Sequence, residues 1–183
     1  IHCAEHDANH DHTADATPGR ETLNQPFALW SDGSRLIVAD TENNRVLIWD
    51  PMPTDPGDSF KPADVVLGQS SFSGGVANDD DGDGVAGTSP TAASLSRPSA
   101  IHSDGQRLVV ADSGNHRVLL WNSIPAQSGT PPDRVIGQAD FGRGTANDTD
   151  LDGLADEAPS SGVLNTPRGV FISGTTLYVT ETV

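Results

Sequence analysis

The sequence has few of the features that define several common classes of protein. A single cysteine, Cys3, excludes a disulfide within the chain. No apolar run approaches the roughly 20 residues of a membrane-spanning helix. The chain does not begin with Met and shows no signal peptide, so we expect a mature or partial product from which any targeting segment has been removed.

Basic residues are also scarce. Ten Lys and Arg stand against 26 Asp and Glu, which gives a net charge of −16. Such a surface repels phosphate backbones, and the basic residues form no cluster, so we expect no nucleic-acid partner. Helix-forming segments are few, whereas 19 Gly and 13 Pro separate short runs of Val, Ile and Leu. This composition predicts an all-β fold.

The chain repeats itself. Residues 23–49 align without gaps on residues 95–121, with 16 of the 27 positions identical, and a third copy begins at Leu164. The landmark prolines Pro26, Pro98 and Pro167 are 72 and then 69 residues apart. A period of this length is typical of propellers, solenoids and arrays.

Each unit carries the signals of four short strands. In the first unit we predict strands at 27–31, 35–39, 45–49 and 64–68, with a polar hairpin turn at 40–44; residues 133–137 repeat the fourth strand. Four antiparallel strands per unit predict the blades of a β-propeller, with a solenoid as the alternative. The predicted organisation is a His/Asp-rich segment (1–22), a blade (23–72), an acidic inter-blade loop (73–94), a second blade (95–141), a second acidic loop (142–163) and the first half of a further blade (164–183).

The hairpins "LIVADTENNRVLIW" and "LVVADSGNHRVLLW" resemble NHL repeats, a family of β-propeller units. The repeated "VLGQSSF" and "VIGQADF" resemble tandem NHL units of large bacterial surface or secreted proteins, which implies an extracellular location. The third copy departs from the pattern, with Thr180 and Glu181 in place of Ala-Asp. The resemblance implies a structural role, tying each hairpin turn to its neighbours, for Asp40, Asn43, Arg45, Asp112, Asn115 and Arg117.

Two and a half blades are fewer than the about 4–8 of a closed propeller. The last predicted strand, 177–180, has no predicted partner on one side, and such an apolar edge favours aggregation. We therefore expect a segment of a longer chain, or a chain that completes its sheet with another molecule. The expected partners are a protein, a glycan or copies of the chain itself.

Three acidic loops begin sixteen residues before Leu23, Leu95 and Leu164. Carboxylates at alternate positions followed by Gly resemble the calcium loops of dockerins and thrombospondin type 3 repeats, because alternate side chains and the position 7 carbonyl converge on a hard cation. A proline stands where an EF-hand has its bidentate Glu, so we expect weak structural calcium sites; a solvated linker is the alternative. The candidate ligands are Asp148, Asp150, Asp152, Leu154 and Asp156; Asp79, Asp81, Asp83 and Val85; and Asp7, Asn9, Asp11 and Asp15.

The amino-terminal copy has a second interpretation. His2, Cys3, His6, His10 and His12 lie within a dozen residues, and imidazole with thiolate suits a transition metal better than calcium. A degenerate calcium loop, a transition-metal site and an exposed tail without an ion all stay open.

The sequence offers little for catalysis. His102 replaces Trp30 of the first unit and His116 replaces Asn44, and we expect both to be exposed, variable positions. No nucleophile–base pair is evident. We expect a non-catalytic extracellular module, either a structural scaffold or an interaction domain. The alternative is a metal-dependent propeller enzyme, lyase- or lactonase-like as some NHL relatives are, with its metal in a central channel or in the His-rich segment.

Overall fold

The protein folds into three antiparallel β-sheets. A computed structural model describes residues 15–58 and 60–182. The ten strands of this part of the chain, in sheet order, are β1 (Pro26–Ser31), β2 (Leu36–Asp40), β3 (Arg45–Trp49) and β4 (Val65–Leu67); β5 (Pro98–Ser103), β6 (Leu108–Asp112), β7 (Arg117–Trp121) and β8 (Arg134–Ile136); and β9 (Pro167–Ser173) with β10 (Thr176–Glu181). The prediction of an all-β fold with four-stranded antiparallel units is confirmed.

Short 3₁₀ turns are the helical elements of the described residues. They are Thr41–Asn43, Pro56–Asp58 and Ser113–Asn115. No helix in residues 15–58 and 60–182 has the length and apolar character needed to cross a membrane. Two of the turns join β2 to β3 and β6 to β7, where the sequence predicts a plain polar turn. Each ends in a left-handed residue, Asn44 with φ 51° and His116 with φ 52°.

Strand boundaries differ from the predicted ones by a residue or two. The first strand begins at Pro26, and the strand predicted at 64–68 is only Val65–Leu67. The cause of the early end is Gly68, which has φ +87° and packs under Leu95 so closely that a Cβ would clash with the Leu95 side chain. Gly137 ends β8 in the same way, beneath the first leucine of the third unit.

The main core lies between the first and second sheets. Because side chains alternate along a strand, β2 and β3 place one set toward the second sheet and the other set away from it. The set facing the second sheet packs in one cluster with residues of that sheet: Ile37, Ala39, Val46, Ile48, Val65, Leu67, Leu95, Ile101, Leu108, Val110, Leu119 and Trp121. The side chains that face away pack with Leu23, Leu36 and Phe72 in a second cluster.

The middle sheet is packed on both faces. Its second face contributes Val109 and Val118 to a cluster with Ile172 of β9, and Leu177 and Val179 of β10 pack against this cluster. The first strands of the three units lie side by side, with β5 between β1 and β9. Successive units therefore stack sheet on sheet.

A buried ion pair fixes each hairpin turn. Arg45 Nε lies 2.7 Å from Asp40 Oδ2 with both side chains fully buried, and Asn43 Nδ2 donates to the same oxygen at 2.7 Å. The Arg45 guanidinium also donates to the carbonyls of Gly19, Thr22 and Phe72. These contacts bear out the structural role that the family resemblance implies.

The second unit repeats this arrangement. Arg117 and Asp112 form a fully buried pair at 2.7 Å, joined by Asn115. In the third unit Glu181 takes over one of the aspartate's contacts, because its Oε2 accepts from the backbone N–H of Asn165 at 2.6 Å. Asp40 Oδ1 accepts from Asn24 N at the same distance. Although the third copy has Glu in place of Asp, its carboxylate thus keeps the hydrogen bond to the backbone at the start of its own unit.

Candidate metal sites

Each described acidic loop brings three carboxylates together. One oxygen each of Asp79, Asp81 and Asp83 lies within 4.8 Å of the others, and the same holds for the second triplet, Asp148, Asp150 and Asp152. These are the groups of metal-ligating side chains found within residues 15–58 and 60–182. Three carboxylates so close repel one another unless a cation lies among them. The geometry therefore fits a hard cation with oxygen ligands.

Asp79 organises the first loop through the backbone. Its Oδ1 accepts from Gly82 N at 2.8 Å and Asp83 N at 3.1 Å, and its Oδ2 accepts from Gly84 N at 3.0 Å. The side chain is buried and both of its oxygens have partners. Asp79 thus folds the loop back on itself through backbone hydrogen bonds.

Asp148 occupies the corresponding position of the second loop with one oxygen unused. Its Oδ2 accepts from Gly153 N at 3.2 Å, as Asp79 Oδ2 accepts from Gly84 N. Its Oδ1 is buried and has no hydrogen-bond partner within residues 15–58 and 60–182, while the whole residue is only 2% exposed. A buried carboxylate oxygen without a partner is costly, and a bound cation would satisfy it.

The candidate ligands at positions 5 and 7 are joined by the same hydrogen bond in the two loops. Val85 N donates to Asp83 Oδ1 at 2.7 Å, and Leu154 N donates to Asp152 Oδ1 at 2.7 Å. The acid at position 9 of the second loop, Asp156, accepts from the N–H of Thr149 at 2.8 Å and is not a member of the triplet.

The first predicted loop falls mostly outside the described residues. Asp7, Asn9, Asp11 and the His/Cys segment lie there. Asp15 is described and is half-buried. The choice among the three interpretations of this segment stays a prediction.

The 79–87 loop is attached to the hairpin turn of the following unit. Asn78 and Asn115 exchange two side-chain hydrogen bonds, both 2.9 Å long. Asn115 also bonds the buried Asp112, so the acidic loop is connected to the Asp112–Arg117 pair. Sequence reasoning missed this link, and its one signal was the Asn that precedes the Asp in both "ANDD" and "ANDT".

The two histidines beyond the amino-terminal segment are half-buried, so the expectation that they are exposed is wrong. His116 Nδ1 accepts from Thr166 N at 3.0 Å, and His102 Nδ1 accepts from Ile172 N at 3.1 Å while its ring packs against Phe171. Burial lowers the pKa of both imidazoles, which favours the neutral form that can accept these bonds. Both side chains join the second unit to the third.

Comparison with models of known protein families and with curated proteins found no match. The chain is therefore characterised by its repeated four-stranded sheets and its two aspartate triplets.

Proposed function

We propose that the protein is a non-catalytic, extracellular segment of an NHL-type β-propeller, stabilised by structural calcium in its inter-blade loops, that serves as a scaffold or interaction module. Three observations support the propeller: repeated antiparallel sheets, face-to-face stacking of successive units, and the first strands lying side by side. The repeated motif supports the family assignment.

The observation that carries the calcium proposal is the unpartnered, buried oxygen of Asp148. It belongs to a triplet of carboxylates within 4.8 Å of one another, and no N–H or hydroxyl of the described part of the chain bonds it. Calcium would satisfy this oxygen and offset the repulsion within the triplet. In the first loop the same acids are spaced in the same way, but Asp79 is already bonded, so the ion there adds less.

A weak site suits an extracellular module. Pro159 stands at position 12, where an EF-hand has a bidentate Glu, so we expect affinities on the order of 10⁻⁴ to 10⁻³ M, as in other extracellular modules. Such sites fill in a calcium-rich exterior. The ion would stiffen a loop whose side chains are largely exposed, and its role would be structural.

The exposed outer faces of the first and third sheets support a partner that is itself built of such repeat units. Leu29 and Tyr178 are 68% and 57% exposed, whereas their counterparts in the middle unit, Ile101 and Val109, are buried by neighbouring units. A further repeat unit or a second copy would cover these faces as the middle sheet is covered. A protein or glycan that binds across the rim is the other form of interaction module.

The test is a calcium titration of chelator-stripped protein by calorimetry, combined with thermal melts with and without the ion. Wild type should bind calcium at one or two sites with a rise in Tm. The variant Asp148→Ala/Asp152→Ala should lose most of the rise. It also loses the bonds from Gly153 N to Asp148 and from Leu154 N to Asp152, so its melt without calcium should fall by a smaller amount.

The matched control is Asp80→Ala/Glu157→Ala, which removes two exposed acids from the same two loops but leaves both triplets intact. It should keep the calcium response of wild type. Equal melts for wild type with and without calcium, or an equal loss of stability by the triplet variant in both conditions, would contradict the calcium proposal.

A further inference from the structure

We propose that Arg143 is a built-in competitor for the cation at the 148–156 loop, an inference that rests on the calcium-binding function proposed above. Its guanidinium lies beside the second triplet, with Nη1 3.5 Å from Asp148 Oδ2 and Nε 3.6 Å from Asp140 Oδ2. In the ion-free protein this positive charge partly neutralises the carboxylates. A calcium ion that enters the triplet meets a like charge and must displace the guanidinium or bind against its repulsion.

The contact between Arg143 and Asp148 is loose enough to be displaced. Charge-assisted hydrogen bonds are usually about 2.7–2.9 Å long, and the buried pair Arg117–Asp112 reaches 2.7 Å. The Arg143 side chain is 34% exposed, and its contact with Asp148 is to Oδ2 and not to Oδ1. Arg143 thus lowers the local negative charge without using up the oxygen that an ion would bind.

A second contact couples Arg143 to the backbone of the loop. Its Nη1 donates to the carbonyl oxygen of Leu151 at 3.0 Å. Leu151 has φ +64°, a left-handed conformation that the first loop gives to Gly82, with φ +75°. Leucine is strained there, and the bond from Arg143 helps to hold it. Displacement of Arg143 would remove this support, which adds to the cost of binding the ion.

The first loop shows that an arginine is not needed to build such a loop. Gly74 stands at the position of Arg143, five residues before the first Asp. The chain enters both loops at the same place, because the carbonyls of Phe72 and Phe141 accept bonds from the buried arginines of their hairpins. The 79–87 loop then folds without a guanidinium. Arg143 is therefore an addition specific to the second loop, and its effect is to raise the calcium concentration at which that loop fills.

The experiment measures calcium binding to the whole chain and to two arginine variants by calorimetric titration and by thermal melts. Arg143→Gln removes the charge beside the triplet. Arg134→Gln removes an exposed charge on β8 and serves as the control for net charge. Arg143→Gln should lower the Kd of the second loop about threefold to tenfold, the size expected for one unit charge a few ångströms from a partly solvated ion. It should also lower the Tm without calcium and enlarge the rise that calcium produces.

The outcomes separate the inference from the function on which it rests. Tighter binding by Arg143→Gln but not by Arg134→Gln would support competition. Unchanged or weaker binding by Arg143→Gln, with calcium still stabilising wild type, would overturn the inference and leave the calcium function in place. No calcium binding by wild type would overturn the proposed function itself, and the inference with it.

Discussion

One side chain in each hairpin turn holds the unit that follows. Asn44 Oδ1 accepts the backbone N–H of Arg97 at 2.9 Å, and His116 Nδ1 accepts that of Thr166 at 3.0 Å. Both N–H groups belong to left-handed residues just before a landmark proline, with φ 49° and 48°. The repeat alignment pairs Asn44 with His116, but it could not reveal their shared role. The bonded groups are 53 and 50 residues away, and neither Arg nor Thr signals a left-handed backbone.

This equivalence predicts that His116→Asn preserves the junction and reduces its sensitivity to acid. Burial is the main cause that lowers the pKa of His116 from its ordinary 6.5. Below that pH the unfolded chain takes up the proton before the folded chain does, so stability falls as the pH drops. Melts between about pH 7 and pH 5 should show a smaller loss for His116→Asn than for wild type.

The reciprocal variant, Asn44→His, is the control. It places an imidazole at the first junction and should steepen the loss of stability over the same pH range. If His116→Asn destabilises the protein at neutral pH and keeps the acid dependence of wild type, then His116 does not act through its neutral ring nitrogen.

At the scale of the element, the acidic loops show what residue spacing can and cannot predict. Alternate acids followed by Gly predict the two triplets because side chains at positions 1, 3 and 5 of a tight turn converge. The same spacing does not predict that backbone N–H groups bond both carboxylate oxygens of Asp79. Nor does it predict that Asp148 Oδ1 has no partner among the described residues. Gly82 N and Asp83 N bond Asp79 Oδ1, whereas the corresponding N–H groups of Leu151 and Asp152 do not bond Asp148 Oδ1.

Leu151→Gly should therefore stabilise the protein. Leucine in the left-handed region is strained by roughly 1–2 kcal/mol, whereas Gly adopts φ +64° freely but loses more backbone entropy on folding. The expected net gain is about 0.5–1 kcal/mol, measured in urea without calcium. Leu154→Gly is the matched control, since Leu154 is an exposed leucine of the same loop. It should be neutral or destabilising, and a similar gain in both variants would contradict the role of strain at Leu151.

At the scale of the whole molecule, the repeat alignment predicts which face of its sheet a residue occupies, but not whether another sheet covers that face. Counterparts occupy the same place in their sheets, yet their burial depends on whether a sheet lies opposite. Leu108 of the middle unit is fully buried against the first sheet, whereas its counterpart Leu36 faces away from the second sheet and is only half-buried. The sequence predicts the strand and the face; the number of neighbours depends on the position of the unit in the stack.

The pair of variants Leu108→Ala and Leu36→Ala measures the energy of this stacking. The same leucine is truncated at the same place in two units, so strand propensity and local contacts largely cancel in the comparison. Leu108→Ala leaves a cavity between two sheets and should cost about 2–5 kcal/mol. Leu36→Ala removes a half-exposed side chain and should cost about 1 kcal/mol. Urea unfolding followed by tryptophan fluorescence gives both values at low protein concentration. Equal losses would contradict the difference in burial and would indicate that the outward face of the first sheet is covered in solution.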